Sequence, residues 1–351
     1  MPSLLHPISN LHAVHPRLPC RSPSWPCLIS STRTHGRLSF DDLPDVLKGV
    51  SLQVSGGLKV GVVGRTGSGK SSLLLALARL NQISSGSVSI DGVNISKVSL
   101  GALRSTLAVI PQQPHLFSGT LRFNLDPSGR FSDSALRQAL KDVQLHTLLE
   151  SVKAAGADSA STHRDGAGLG LMVQEGGSNL SVGERQLVSL ARALLHRRPI
   201  VVMDEATANV DYDTDAIIQR IVRESEAIRT STLVVVAHRL RTIMDADVVV
   251  VLERGKVVEI GSPRELLERH NSIFASMAAK ASFRIEELAA IERLAAERKI
   301  RCEPARAAPD MHPVDITQGR NENPIKKLRQ MSALAGSNMV LAGSDTADVA
   351  F

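Results

Sequence analysis

The stretch Gly64-Arg65-Thr66-Gly67-Ser68-Gly69-Lys70-Ser71 constrains this chain more than any other, because it fits the pattern G-x-x-x-x-G-K-[ST]. Glycines in such a loop let successive backbone N–H groups turn inward around an anion. Lys70 would reach the β- and γ-phosphates of a nucleotide, and the Ser71 hydroxyl would hold Mg²⁺. Arg65 is expected to point away, while Thr66, Ser68 and Ser72 join the glycines as phosphate-contacting positions. The pattern works only between a buried strand and a helix whose N-terminal dipole faces the phosphate. Lys59 to Val63 (KVGVV) reads as that strand, and Ser71 to Leu80 reads as that helix.

The rest of the chain repeats the alternation. Short apolar runs at Ser87–Ile90, Leu107–Ile110, Ile200–Met203, Leu233–Val236 and Val248–Leu252 read as strands. Val46 to Val54 reads as one strand with alternating polarity. Residues 132–155, Leu187 to His196 and Asp215 to Glu226 read as helices. Val248–Leu252 and Lys256–Ile260 flank Glu253-Arg254-Gly255 as a hairpin, and Pro263 opens a helix after it. Strands alternating with helices imply an α/β domain with a largely parallel sheet, and the early strands and late hairpin imply an antiparallel flank. An aromatic content of only 3% against 43% hydrophobic residues fits a Val-, Ile-, Leu- and Ala-packed α/β core better than an aromatic-rich sandwich.

Four further sites carry chemistry when placed at strand ends. Ile200 to Asp204 followed by Glu205 is an apolar strand ending in two carboxylates. Asp204 there can hold Mg²⁺ and Glu205 can polarise a water for attack. Taken alone, the same pair is also what a strand meeting solvent looks like. Leu180-Ser181-Val182-Gly183-Glu184 opens a helix, where Ser181 and the Gly183 backbone could receive a phosphate, or Ser181 could simply cap the helix. Gln112, just after the strand ending at Ile110, could orient water or Mg²⁺, or be an ordinary loop glutamine. His238, following the strand at 233–236, could hydrogen-bond a γ-phosphate, or be a structural histidine.

These motifs fall in one order, and in that order residues 40–280 resemble the nucleotide-binding domain of ABC transporters. The resemblance implies a Walker A motif at Gly64–Ser71, a Q-loop glutamine at Gln112 and a signature at Leu180–Glu184. It also implies a Walker B motif at Ile200–Asp204 with catalytic Glu205, a D-loop at Ala208–Asp211 and a switch histidine at His238. The runs GRTGSGKSSL, IPQQPHLFSGTLRFNLDP, SVGERQLVSLARALL and DEATANVD are similar to the second cassette of C-subfamily, multidrug-resistance-associated exporters. That implies a P-loop NTPase with a RecA-like core and a helical subdomain near 119–194. It further implies ATP and Mg²⁺ as ligands, a first-type partner cassette, and membrane contact only through transmembrane domains on the cytoplasmic side. The sequence departs from the family in its signature, LSVGE rather than LSGGQ, and in having only Phe40 near the position of the adenine-stacking aromatic. Val182 adds bulk beside the phosphate route, and Glu184 adds a charge there unless its carboxylate points away. The alternatives are a stand-alone ATPase recruiting a membrane subunit, and a relic that binds ATP with little turnover.

The flanks carry less information. Residues 1–37 are rich in Pro, Ser, His and Arg without a period and read as a disordered arm; residues 281–351 read as an amphipathic helix followed by a disordered tail. Prolines at 2, 7, 16, 19, 23 and 26 interrupt any apolar run, so no signal peptide is expected. Much of the +6 net charge sits in the first 40 residues, which hold arginines and no acid, so no nucleic-acid-binding face is expected on the folded part. Cys20, Cys27 and Cys302 all fall outside the expected domain of residues 38–280, which argues against a disulfide framework. No apolar run reaches the roughly 18 residues needed to cross a bilayer.

Overall fold

The computed structural model describes residues 29–38, 46–145, 168–237, 239–283, 287–289 and 291–292, the first of these by its backbone alone. In chain order the strands before the central helices are β1 (Ile29–Leu38), β2 (Leu47–Lys48), β3 (Gln53–Val54), β4 (Lys59–Gly64), β5 (Ile83–Ile90), β6 (Val93–Asn94), β7 (Leu107–Ile110) and β8 (Gly119–Thr120). They are followed by β9 (Met172–Val173), β10 (Ile200–Asp204), β11 (Thr232–Val236), β12 (Val248–Glu253) and β13 (Lys256–Gly261). A six-stranded sheet in the order β13-β12-β4-β11-β10-β7 forms the centre, parallel throughout except for β13. Side chains alternate along each central strand. Val60, Val62, Ile200, Val202, Val234, Val236, Val250 and Leu252 enter one core, and Val63, Val201, Met203, Leu233, Val235, Val249 and Val251 enter the other. A sheet buried on both faces needs apolar residues at every position, which is why these strands read as unbroken apolar runs.

Helices cover both faces. The helix α1 (Lys70–Leu77) leaves the loop after β4 and lays Leu74, Ala76 and Leu77 on the first core. On the other face lie α2 (Asp133–Asp142), α3 (Val182–His196) and α4 (Tyr212–Glu224), each with a side-chain cap: Ser132 on Ala135 N–H, Ser181 on Glu184 N–H and Asp211 on Thr214 N–H. The helix α3 ends at Arg197, whose left-handed φ of 42° terminates it before Pro199.

The second sheet, β2-β1-β5-β6 with β3 also on β1, is antiparallel and lies in the flank where an antiparallel element was expected. Its make-up differs from the expectation in two ways. The stretch 46–54 is not one strand: Gly49, at φ 73°, breaks it into β2 and β3. Residues 29–37, expected to lie in a disordered arm, belong to β1, which runs antiparallel to β5 from Ile29↔Ile90 to Leu38↔Ile83. The segment has no apolar period of its own, so only the long-range partner makes it a strand.

Smaller differences lie at ends. The helix expected from 187 starts at Val182, and the one expected at 215–226 stops at Glu224 because Ser225 turns extended, with ψ 123°. The helix expected over 132–155 runs from Asp133 to Asp142, while residues 146–167, with most of the loop at 156–170, lie outside the described residues. So do residues 1–28 and 293–351; of the helix expected after 281, Ser282 and Phe283 are described and are not helical, while 287–289 and 291–292 are helical. No described helix is long and apolar enough to cross a membrane.

Candidate functional site

Parallel strands bring their C-terminal ends to one edge of a sheet, and that edge is where open α/β sheets bind ligands. Here it collects the loop after β4, the Pro111-Gln112 segment after β7 and the Asp204-Glu205 pair at the end of β10. The loop after β4 is built to a tight tolerance. A Cβ at Gly64 would lie 2.2 Å from the Leu252 carbonyl and 2.5 Å from Ser68 Oγ, so no larger residue fits. Gly69 caps α1 in a left-handed conformation at φ 100°. Ser68 N–H closes the turn on the Arg65 carbonyl at 3.0 Å, and the Gly255 N–H at the β12–β13 turn bonds the Ser68 carbonyl at 3.0 Å. Arg65, Thr66 and Gly67 are exposed at the rim.

Lys70 is buried and donates back to the Gly64 and Arg65 carbonyls at 3.0 and 3.3 Å. Both of those partners are neutral carbonyls, so no side-chain carboxylate is hydrogen-bonded to the Lys70 Nζ that an anion in the loop would meet. Ser71 Oγ donates to Asp204 Oδ1 at 3.3 Å. Burial raises the Asp204 carboxyl above the ordinary aspartate range; the Ser71 hydrogen bond lowers it, the Glu205 carboxylate raises it and Lys70 lowers it. Glu205 adopts a left-handed φ of 44°, fixed by its N–H on the Val236 carbonyl and by Ala208 N–H on its own carbonyl, each at 3.0 Å. Such a conformation costs on the order of 1 kcal/mol in a non-glycine residue and persists only where surroundings impose it. Gln112 Nε2 donates to Glu205 Oε2 at 3.2 Å.

The structure therefore brings Gly64 to Ser71, Gln112, Asp204 and Glu205 together, with Ser72 half-buried in the first turn of α1. Ser71, Asp204 and Gln112 offer a hydroxyl, a carboxylate and an amide oxygen. Hard oxygen donors with a single carboxylate suit Mg²⁺, which keeps several waters and takes its other ligands from substrate phosphate. Among the described residues, no group of three or more His, Cys, Asp or Glu could hold a metal ion. His238 lies outside the described residues.

Ser181 and Gly183 stand apart from this group, at the start of α3. Ser181 Oγ accepts from Glu184 N–H at 3.1 Å, and Glu184 Oε2 accepts from Ser181 N–H at 2.7 Å, a closed capping box. The Glu184 carboxylate thus turns back onto its own helix end. Gly183 is buried against α4: a Cβ there would sit 2.8 Å from Thr214 Oγ1. Val182 is 40% exposed.

Two side chains of α3 escaped the sequence reading. Gln186 is buried and donates to the Pro111 carbonyl at 2.9 Å and the Ala206 carbonyl at 2.5 Å. Arg192 donates to the carbonyls of Asn124 and His115 at 2.5 and 3.3 Å and to Asn124 Oδ1 at 3.1 Å. The signal for Gln186 was readable, since it falls on the stripe of Gly183, Leu187, Leu190, Ala191 and Leu194 that α3 buries.

Residues 47–208 match the family model described as ABC transporter. ABC transporter C family member 3 of Dictyostelium discoideum is 44% identical over 270 residues, which are 75% of this chain and 17% of that protein. ATP-binding cassette sub-family C member 3 of Homo sapiens is 48% identical over 233 residues, 66% of this chain and 14% of that protein. Sub-family C member 2 of Rattus norvegicus is 43% identical over 250 residues, covering 68% of this chain and 15% of that protein. The chain spans less than a fifth of the length of these relatives. Among solved structures, a bacterial Atm1-family ABC exporter with ATP bound superposes with a TM-score of 0.64 at 30% identity, over 76% of this chain and 44% of that one.

Proposed function

The chain carries an ATP-binding domain of the ABC transporter family, with C-subfamily relatives, and from that premise we propose that it hydrolyses ATP with Mg²⁺ to power an exporter. In this reading it is one half of an asymmetric cassette pair, held at the cytoplasmic face of a membrane by transmembrane partner domains. The observation that carries the reading is the convergence of Lys70, Ser71, Gln112, Asp204 and Glu205 at one sheet edge, with Ser71–Asp204 and Gln112–Glu205 contacts of 3.3 and 3.2 Å.

The loop N–H groups and Lys70 hold the β- and γ-phosphates, and Lys70 exchanges its carbonyl partners for phosphate oxygens. Ser71, Asp204 and Gln112 are the residues that would hold Mg²⁺. The bound ion would neutralise charge on the leaving diphosphate. Glu205 accepts a proton from water as its oxygen attacks the γ-phosphorus; the bond to the β-phosphate oxygen breaks, leaving ADP and phosphate. His238 is assigned the γ-phosphate contact by family resemblance. The partner's signature closes the site, and this chain's Ser181 and Gly183 serve the partner's nucleotide in return.

The test is a nucleotide titration with and without Mg²⁺, followed by phosphate-release assays on the chain. Micromolar to millimolar ATP binding with slow, Mg²⁺-dependent turnover supports the reading. ATP binding without detectable turnover, even when a first-type cassette is added, leaves only a nucleotide-binding relic; absence of binding removes both.

A further inference from the structure

We propose that Gln186 is a positioning residue for ATP hydrolysis: its carboxamide stitches together the two peptide segments that carry Gln112 and Glu205. The inference rests on the ATPase reading above, but its geometric core does not.

The parallel ladder between β7 and β10 ends at the Ile110↔Met203 pair. Beyond it the two chains diverge into the loops that hold the reacting groups. Pro111 lacks an N–H and offers its neighbour only a carbonyl. Ala206 presents a second carbonyl nearby. Gln186, reaching in from α3, gives one N–H of Nε2 to each, at 2.9 and 2.5 Å. A single nitrogen with two protons thereby replaces the missing rung. The residues adjoining those carbonyls, Gln112 and Glu205, then meet at 3.2 Å.

The bond pattern is specific to an amide. Gln186 Oε1 is buried with no hydrogen-bond partner, a cost that a pure packing role would shed by using an apolar residue. Gln186 also lies in the second turn of the helix that begins with Ser181, so one rigid element joins the signature to the Gln112 and Glu205 loops.

The decisive variant is Gln186→Met, which keeps length and removes both donors. Backbone hydrogen exchange should quicken about tenfold at Glu205 and Ala208, whose N–H groups fix the Glu205 turn. Exchange at Val202, inside β10, should stay as in the wild type. ATP turnover should fall about tenfold or more, with nucleotide affinity changed less than twofold. Unchanged exchange at Glu205 and Ala208, or acceleration spread equally into β10, would overturn the proposal in favour of plain packing. If the wild-type chain shows no turnover even with a first-type cassette added, the ATPase reading fails, while the exchange result still decides whether Gln186 holds the two segments together. Should Gln186→Met not fold, the wild type remains informative. The Nε2 protons of Gln186 should resist exchange with solvent while those of exposed Gln113 do not, and equal rates would refute the bonds themselves.

Discussion

At the end of β4 and β10, polar groups are held in states that a ligand would relieve; at the start of α3, the polar groups are already matched. Lys70 is buried with carbonyl oxygens for partners, Asp204 keeps a carboxyl raised by burial, and Glu205 holds a left-handed turn. No such tension exists at Ser181: its hydroxyl and N–H are both taken by Glu184, and Gly183 is packed on Thr214. A site that stores strain binds and reacts, whereas a capped helix end is stable without a ligand. On the proposed function, the first region is where the chemistry would occur and the second is where pairing would be restrained.

The most severe way to break the contrast is Glu205→Gln. It keeps the side chain's shape and removes the base, so turnover should drop by about 10²–10⁴-fold while nucleotide affinity holds. Phosphate release measured beside a binding titration checks both halves, and a variant that turns over at the wild-type rate would move the base elsewhere. Next in size is Lys70→Ala. Charge-assisted hydrogen bonds to phosphate contribute roughly 1.5–3 kcal/mol, so affinity should weaken by about tenfold or more. An unchanged dissociation constant would remove the loop from the binding site.

Asp204→Asn sharpens the comparison by asking whether function is held at the expense of stability. Burial holds the folded carboxyl above the ordinary aspartate range. The folded state therefore holds its proton more tightly than the unfolded chain does. Stability from this group is fully present below pH 3.8 and is lost as pH rises through the folded value. Asn lacks the charge, so the nucleotide-free variant should melt higher at pH 7, and the gain should shrink as pH falls through the carboxylate range. Mg²⁺-dependent turnover should be lost. A lower melting point at pH 7 would show that Asp204 is stabilising in the free chain.

The contrast also explains what was legible in the sequence. The placement of the loop from Gly64 to Ser71 and of the Asp204-Glu205 pair at strand ends was legible because each follows directly on an apolar run, whereas Gln112 and the acidic pair were locally ambiguous and only the order of motifs singled them out. The central strands were readable too, since both faces are buried and every position is apolar. Strand β1 was not, because nothing in Ile29–Leu38 alternates, and its partner β5 lies about fifty residues away in the chain. The burial of Gln186 was legible from its place on the stripe that α3 buries, but its two partners, Pro111 and Ala206, were not, because they come from separate segments that only the fold brings together. The direction of Glu184 could not be fixed from composition either, although the S-x-x-E spacing of a capping box was in plain view from Ser181 to Glu184.

That direction refines the smallest expected effect, which concerns pairing. The Glu184 carboxylate lies on the Ser181 N–H at the helix end, where negative charge is favourable by about 0.3–1 kcal/mol. It therefore occupies, as an internal anion, the end of α3 that a partner's γ-phosphate would approach. Like charges within several ångströms near a surface repel by on the order of 1–3 kcal/mol, less in salt. Val182, exposed beside it, adds bulk to the same approach. Glu184→Gln leaves an amide oxygen able to accept the Ser181 N–H, so the box persists without its charge, and Val182→Gly clears the path. In the Glu205→Gln background, which blocks hydrolysis, the chain with its own signature should sediment mostly as a monomer in ATP. The Val182→Gly, Glu184→Gln pair should shift it toward dimer by severalfold, more at low salt than at high. A stable ATP-dependent dimer of the unaltered signature, with no gain from the double change, would mean that the capped end restrains nothing and that two copies of this chain suffice for a closed site.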